Sequence, residues 1–318
     1  MKYLPIGISV LAMVIVLSYI RFDQSNHTQQ AVSQKNPQVA FYSYDNPPGG
    51  EYAGYLNAVS FELPDELYFA GERVPLEVPD VRERLDRELH INTYWHSSTI
   101  FLIKQANRWL PQMEKILKEN GVPEDFKYLT AIEGGFINQI SPANAVGFWQ
   151  IREGAGKEFG LEITREVDER YDPLKSTEAA CKYLKKAYNR FGSWTNAAAS
   201  YNRGMYGLAK ALDNQEVDSY YDLLLNSETS RYVFRILAIK EIIEHPSKYG
   251  FNIDEEHLYK QEPLRYVKVE DDINDLVEFA KEQGINYKLL NRHNPWLRKK
   301  SLNVRNKKSY QIAIPVNP

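Results

Sequence analysis

Residues 122–136 read VPEDFKYLTAIEGGF. Asn120-Gly121 followed by Pro123 stops one helix and starts another. After that restart Phe126, Leu129, Thr130 and Glu133 fall at i, i+3, i+4 and i+7, one face of a short helix. Glu133 therefore lies on the apolar stripe, and Gly134-Gly135 ends the helix directly after it. A carboxyl group that loses its water holds its proton to higher pH. A general acid working near neutral pH needs that property.

Helical spacing extends outward from this segment, over about 80–250. Ile103, Ala106, Leu110, Met113 and Leu117 step by three and four, and Pro111 within them predicts a kink or a new helix start. Residues 177–190 (TEAACKYLKKAYNR), 196–203 (NAAASYNR, stopped by Gly204) and 228–244 (ETSRYVFRILAIKEIIE) read as three further helices. No strand alternation interrupts them, so the body is expected to be all-α. Residues 263–318 change character. Tyr266–Val269 alternates like a strand, 275–283 and 287–291 read as helices, and 309–315 reads as a closing strand.

The amino terminus differs again. Residues 3–20, YLPIGISVLAMVIVLSYI, carry no charge and are just long enough for a single-pass membrane helix. A cleavable signal segment is the rival reading. No cysteine follows the run, which excludes a lipid-anchored form. Residues 23–57 are polar and rich in Gln, Asn, Ser, Pro and Gly, and read as a flexible tether that spans up to about 110–120 Å when extended.

Across all 318 residues, 39 Lys plus Arg face 42 Asp plus Glu, a net charge of −3. That balance offers no basic field for nucleic acid. Cys181 is the single cysteine, so no internal disulfide or cysteine metal cluster can form. The six histidines (His27, His90, His96, His245, His257 and His293) show no metal-ligand spacing, and neither a metal nor a cofactor is expected.

Four stretches occur in order: VPEDFKYLTAIEGGF, SPANAVGFWQI, YDPLKSTEAACKYLKKAYNRFGSW and AAASYNRG. Together they resemble the lytic transglycosylase (SLT) domain of glycoside hydrolase family 23, which has the goose-type lysozyme fold. The resemblance is strongest to the membrane-bound lytic murein transglycosylase D family. It extends upstream through 71–109 and downstream through 227–250. The β-α-α-β order of the last segment resembles LysM, a small peptidoglycan-binding module, although Asp271-Asp272-Ile273 replaces its usual Gly-Asp-Thr/Ser. The expected fold class is thus mainly α: a lysozyme-like helical domain with an N-terminal membrane helix and a small α+β LysM-like unit. The expected divisions are 1–22 anchor, 23–57 tether, 58–110 helical extension, 111–262 SLT domain and 263–318 degenerate LysM-like module.

The resemblance implies cleavage of the MurNAc–GlcNAc β-1,4 bond of peptidoglycan, leaving 1,6-anhydroMurNAc ends. Its single catalytic Glu, acid and then base, falls on Glu133. Most glycosidases need two carboxylates; here the nucleophile is the substrate's own C6 hydroxyl. Ser141 and Gln150 match substrate-binding positions. Tyr201 in Ser200-Tyr201-Asn202 matches a tyrosine that bonds the catalytic carboxylate, and Asn202 a substrate contact. Glu228 in Glu-Thr-x-x-Tyr-Val matches an acidic position in the cleft; a helix N-terminal charge is its plain alternative. Taken singly, Gly147 and Trp149 also read as turn and core, and Tyr201 as a core aromatic.

The chain departs from the family pattern at three points. Gly134 replaces a serine, the loop to Ser141 is one residue short and lacks its proline, and Arg152-Glu153 replaces an apolar residue and proline. The implied partners are peptidoglycan glycan strands and the inner membrane, with the catalytic part in the periplasm and the chain a monomer. A goose-type hydrolytic muramidase and a non-catalytic wall-binding protein are the alternatives.

Overall fold

The computed structural model describes residues 59–305 and 308–316, and Val59 onward forms one compact unit. The expected anchor and tether lie outside these residues. Among the described residues no helix is long and apolar enough to cross a membrane.

A two-stranded ribbon, β1 (Tyr68–Phe69) and β2 (Glu72–Arg73), precedes the helices. Helices α1 (Pro79–Tyr94) and α2 (His96–Glu119) follow, then a 3-10 turn (Glu124–Tyr128) that runs into α3 (Leu129–Glu133). Next come α4 (Glu153–Glu158), α5 (Pro173–Phe191), α6 (Trp194–Arg203), α7 (Met205–Gln215) and α8 (Ser227–Glu244). The last segment is β3 (Leu264–Val269), α9 (Leu276–Glu282), α10 (Tyr287–His293) and β4 (Tyr310–Pro315). Strands β3 and β4 pair antiparallel, with Leu264 opposite Pro315 and Val269 opposite Tyr310.

The helix ends follow local chemistry. Asp172 caps α5 by accepting from the Leu174 and Lys175 amides at 2.9 and 3.1 Å, with Pro173 in the first turn. Asn226 caps α8 in the same way through the Thr229 amide. Gly192, left-handed at φ 64°, closes α5. The stripe Ile103, Ala106, Leu110, Met113 and Leu117 is buried as its spacing requires. The new start expected at Pro111 is absent: α2 runs through it unbroken. Pro111 withholds one amide from the helix ladder, and the residue that loses it, Asn107, is exposed where water can replace the bond.

One hydrophobic cluster joins the ribbon, α1–α3 and α5–α8, with Phe126, Trp149, Tyr220, Tyr232 and Phe234 fully or almost fully buried in it. Two ion pairs tie α8 to its neighbours. Lys240 meets Asp125 at 2.7 Å with both side chains 13% exposed, and Arg231 meets Glu88 at 2.6 Å. Buried pairs of this kind cost several kcal/mol when one partner is removed.

A second cluster holds Val269, Leu276, Leu290, Trp296, Leu302, Ile312 and Ile314. It also contains Val167, which comes from the helical body. Around Val167 the chain adds backbone bonds to the C-terminal unit. The Asp168 amide donates to the Trp296 carbonyl at 2.9 Å, and the Arg298 amide to Glu166 at 2.7 Å. The Glu166 carboxylate accepts from the Asn303 amide and side chain, and Arg298 lies 3.8 Å over the Tyr171 ring. The C-terminal unit is thus stitched to segment 162–171 rather than hung on a linker.

Candidate active site

Glu133 is the last residue of α3 and is partly buried. The Gly134 amide closes the turn onto the Thr130 carbonyl at 3.1 Å. Gly135 and Phe136 then both take left-handed conformations, φ 59° and 56°. For a phenylalanine this is costly and is held only by surrounding structure, here full burial of the ring. Asn144 and Gln150 are the other left-handed non-glycines of this loop, at φ 57° and 47°.

Loop 134–151 folds back on Glu133. The Gln139 side chain donates to the Glu133 carbonyl at 3.2 Å, and the Gly147 amide to the Gln139 carbonyl at 3.1 Å. Gln150, expected to line the sugar cleft, directs its side-chain amide to the Gly147 and Gln139 carbonyls at 2.8 and 3.2 Å. Ser141 turns inward too, its hydroxyl accepting from the Ala145 amide at 3.0 Å. Both side chains shape the loop as well as bordering it. Arg170 fixes the loop from behind. It pairs with Asp168 at 2.7 Å and donates to the Asn144 and Ile151 carbonyls at 3.3 Å.

The Glu133 carboxylate is met chiefly by α8. Tyr232, buried, donates its hydroxyl to Glu133 Oε1 at 2.5 Å. Arg235, one turn further, donates to the Ile132 carbonyl at 3.1 Å and acts on Glu133 through its charge. Glu228, one turn earlier, is exposed and acts in the opposite sense. Burial raises the Glu133 pKa above its ordinary value of 4.5, against the lowering pull of Tyr232 and then Arg235; Glu228 adds to the rise. Desolvation wins.

The expected bond from Tyr201 to the acid is not formed. Tyr201 donates instead to the Trp149 carbonyl at 2.7 Å, and Trp149 is locked by its indole N–H on Thr177 at 2.8 Å. Tyr232 occupies the role that the resemblance gave to Tyr201. The α6 helix brings Tyr201 near enough for its phenol to feel the Glu133 charge, so it walls the site. Asn202 donates to Glu228 Oε1 at 3.0 Å and accepts from the Thr229 hydroxyl at 2.8 Å, joining α6 to α8. Glu228 thus does more than sit at a helix start. Tyr232 and Arg235 carried a readable signal: with Glu228 they form the i, i+4, i+7 face of α8.

Among the described residues Asp254, Glu256 and His257 bring ligand-type atoms within 4.8 Å of one another, all on exposed surface away from these residues' network.

Removing the Tyr232 hydroxyl takes away a donor that stabilises the anion. Tyr232→Phe is expected to raise the Glu133 pKa further, moving the alkaline limb of the pH–rate profile upward. The rate at neutral pH should fall about tenfold or more, the value of a hydrogen bond to a charged group. An unmoved limb would show that this bond does not set the acid's ionisation.

A desolvated carboxyl with its pKa raised and one oxygen held by a tyrosine, at the end of a glycine-stopped helix, belongs to a recognisable domain. Residues 112–223 match the family described as Transglycosylase SLT domain, and residues 265–318 match Soluble lytic transglycosylase C-terminal LysM-like domain. The chain therefore carries an SLT transglycosylase domain followed by a LysM-like domain. Among curated proteins it is similar to Membrane-bound lytic murein transglycosylase D of Escherichia coli (strain K12). The two are 28% identical over 194 residues, which is 58% of this chain and 42% of that protein. A Putative tributyltin chloride resistance protein of Alteromonas sp. (strain M-1) is 29% identical over 112 residues, 35% of this chain and 54% of it. The chain thus matches less than half the length of the first of these relatives.

Proposed function

We propose that this chain cleaves the MurNAc–GlcNAc β-1,4 bond of peptidoglycan by lytic transglycosylation, with Glu133 as acid and then base. The observation that carries the reading is the Glu133 environment: a desolvated carboxyl, raised in pKa, with one oxygen held by Tyr232. Because Oε1 accepts from Tyr232, the transferable proton sits on Oε2. It passes to the glycosidic oxygen as the C1–O bond breaks. The carboxylate then takes the proton of the muramyl C6 hydroxyl, whose oxygen closes on C1 to give the 1,6-anhydro ring. Glu133 ends protonated, ready for another turnover. Tyr232 and Arg235 stabilise the anion that exists between the two steps. Ser141, Gln150, Tyr201, Asn202 and Glu228 border the substrate in this reading.

Goose-type hydrolysis is the second reading, and Glu228 favours it. This second carboxylate acts on Glu133 through its charge and is fixed by Asn202, and in this reading it would activate a water as base. Purified sacculi digested with the chain and analysed by mass spectrometry separate the two. Anhydro-MurNAc ends are expected; reducing MurNAc ends would replace this mechanism by hydrolysis.

The proposal extends to location. Residues 3–20 hold the chain at the inner membrane, and 23–57 let the part from about 58 onward reach the wall from the periplasmic side. The divisions at 110 and 262 belong to the same reading.

A further inference from the structure

Loop 134–151 has a second side. Phe148, whose backbone lies against Gly134, turns its ring toward Trp109 at 5.1 Å. Beyond it a cavity of about 320 Å³ opens between the helical body and the LysM-like unit. None of Glu133, Tyr201, Tyr232 or Glu228 borders it. Its volume falls at the small end of the range of about 300–1,000 Å³ typical of ligand sites, which favour such seams.

The body contributes Arg108, Trp109 and Phe148, and the C-terminal unit Tyr266, Arg292 and Trp296. Tyr266 is 59% exposed, an open aromatic face at the rim. Arg292 and Arg108 both turn to one carboxylate, Glu262, the second at 3.8 Å. Two guanidiniums on one carboxylate leave N–H donors over for another anion. His293 lies in the same lining with its side chain 10% exposed. Its Nε2 is 3.3 Å from Glu262 but in hydrogen-bond geometry with no described residue. Asp172 and Glu178 line the same cavity, neither in an ion pair with either arginine; Asp172 caps α5 through Oδ1, and Lys175 is taken by Glu169. Apart from Glu262, the carboxylates of this lining make no ion pair with either arginine.

We infer that this seam binds a zwitterionic peptide, its carboxylate on Arg108 and Arg292 and its ammonium toward Asp172 and Glu178. Given the proposed function, on which the identity of the ligand rests, that peptide is the stem carried by muramyl residues. Its diamino acid supplies the free ammonium and its end the carboxylate. A strand cleaved at Glu133 would then be read through its peptide from behind the catalytic loop.

The probe is the free tripeptide L-alanyl-γ-D-glutamyl-diaminopimelate, added to the full chain carrying Glu133→Gln, with the tryptophan indole N–H signals followed by NMR. The Trp109 and Trp296 signals are expected to shift saturably and the Trp149 signal to stay. The same peptide acetylated on the side-chain amine of its diaminopimelate, and N-acetylmuramic acid with a carboxylate alone, should bind at least tenfold more weakly. Arg292→Ala should raise the Kd at least tenfold. Tyr266→Ala, an exposed position that puts folding at little risk, should weaken binding as well. Unmoved Trp109 and Trp296 signals at millimolar peptide overturn the inference, as does equal binding of the acetylated peptide or an unchanged Kd in both variants. Peptide binding without sacculus cleavage by the wild-type chain would sink the proposed function and leave the site. Cleavage without binding would sink the site alone.

Discussion

Glu133→Gln is expected to lose at least about a thousandfold in sacculus solubilisation, measured as release of soluble muropeptides, while the chain stays folded. General acid–base catalysis contributes roughly 10²–10⁴-fold for a positioned group. In the proposed mechanism one group serves as both acid and base, so its loss removes both contributions. Glutamine keeps the shape and accepts the Tyr232 hydrogen bond, but it has no proton to give. If solubilisation survives the change, Glu133 is not the acid, and neither lytic transglycosylation nor hydrolysis through it stands.

The same substitution should stabilise the fold at neutral pH. Burial raises the pKa of Glu133 in the folded state above its ordinary value of 4.5. Between the unfolded and folded pKa values the native state therefore binds more protons than the unfolded chain, and stability falls as pH rises. Above the folded pKa the full cost of a desolvated charge remains. Glu133→Gln removes that cost, so its Tm should exceed the wild-type value at pH 7, and the difference should vanish below about pH 4. A variant less stable than wild type at pH 7 would mean that Tyr232 and Arg235 outweigh desolvation.

Periodicity made most of the helical body legible. The Ile103–Leu117 stripe and the Phe126–Glu133 stripe bury the residues that their spacing selects, because burial on one face is what a 3.6 period reports. The β-α-α-β order of the last segment was legible for the same reason, each element being short and bounded by turn residues. Pro111 starts no new helix, because packing of the whole stripe outweighs the lost bond and the crowding of the proline ring. The partner of Glu133 was half legible: Glu-Thr-x-x-Tyr-Val contains Tyr232, but the resemblance pointed to Tyr201, and only the placement of α8 decides between them. The seam was not legible. Glu166 and Asn303 meet across 137 residues, and a loop residue such as Val167 has no period to announce which core it enters.

The departure at Gly134 becomes a prediction once the loop is seen. A Cβ at this position would lie 2.7 Å from Phe148 Cα, 2.7 Å from the Phe148 carbonyl oxygen and 2.8 Å from that of Gly147. All three are backbone atoms, so no side chain can swing aside. Gly134 itself has φ −103°, which any residue adopts; the constraint is contact alone. The turn at 147–148 cannot retreat either. Gly147, at φ 81°, has its own Cα against the Arg170 carbonyl, where a Cβ would stand 2.1 Å from the oxygen, and Arg170 is anchored by Asp168. Restoring the serine of the family pattern, Gly134→Ser, should therefore destabilise the chain by about 1–3 kcal/mol through overpacking. Its Tm should drop by several degrees, and its activity should fall as the loop shifts beneath Glu133. Gly147→Ala should cost about 3 kcal/mol or more, since left-handed strain adds to the clash. The resemblance makes the loop before Ser141 one residue short, and a shorter loop is expected to hold 147–148 closer to Gly134. Inserting one residue between Phe136 and Ser141 should then recover part of the stability lost in Gly134→Ser, but none of that lost in Gly147→Ala. Thermal melts of the single and combined variants measure this directly. An unchanged Tm for Gly134→Ser, or equal recovery at both positions, would show that the short loop is not what excludes the serine.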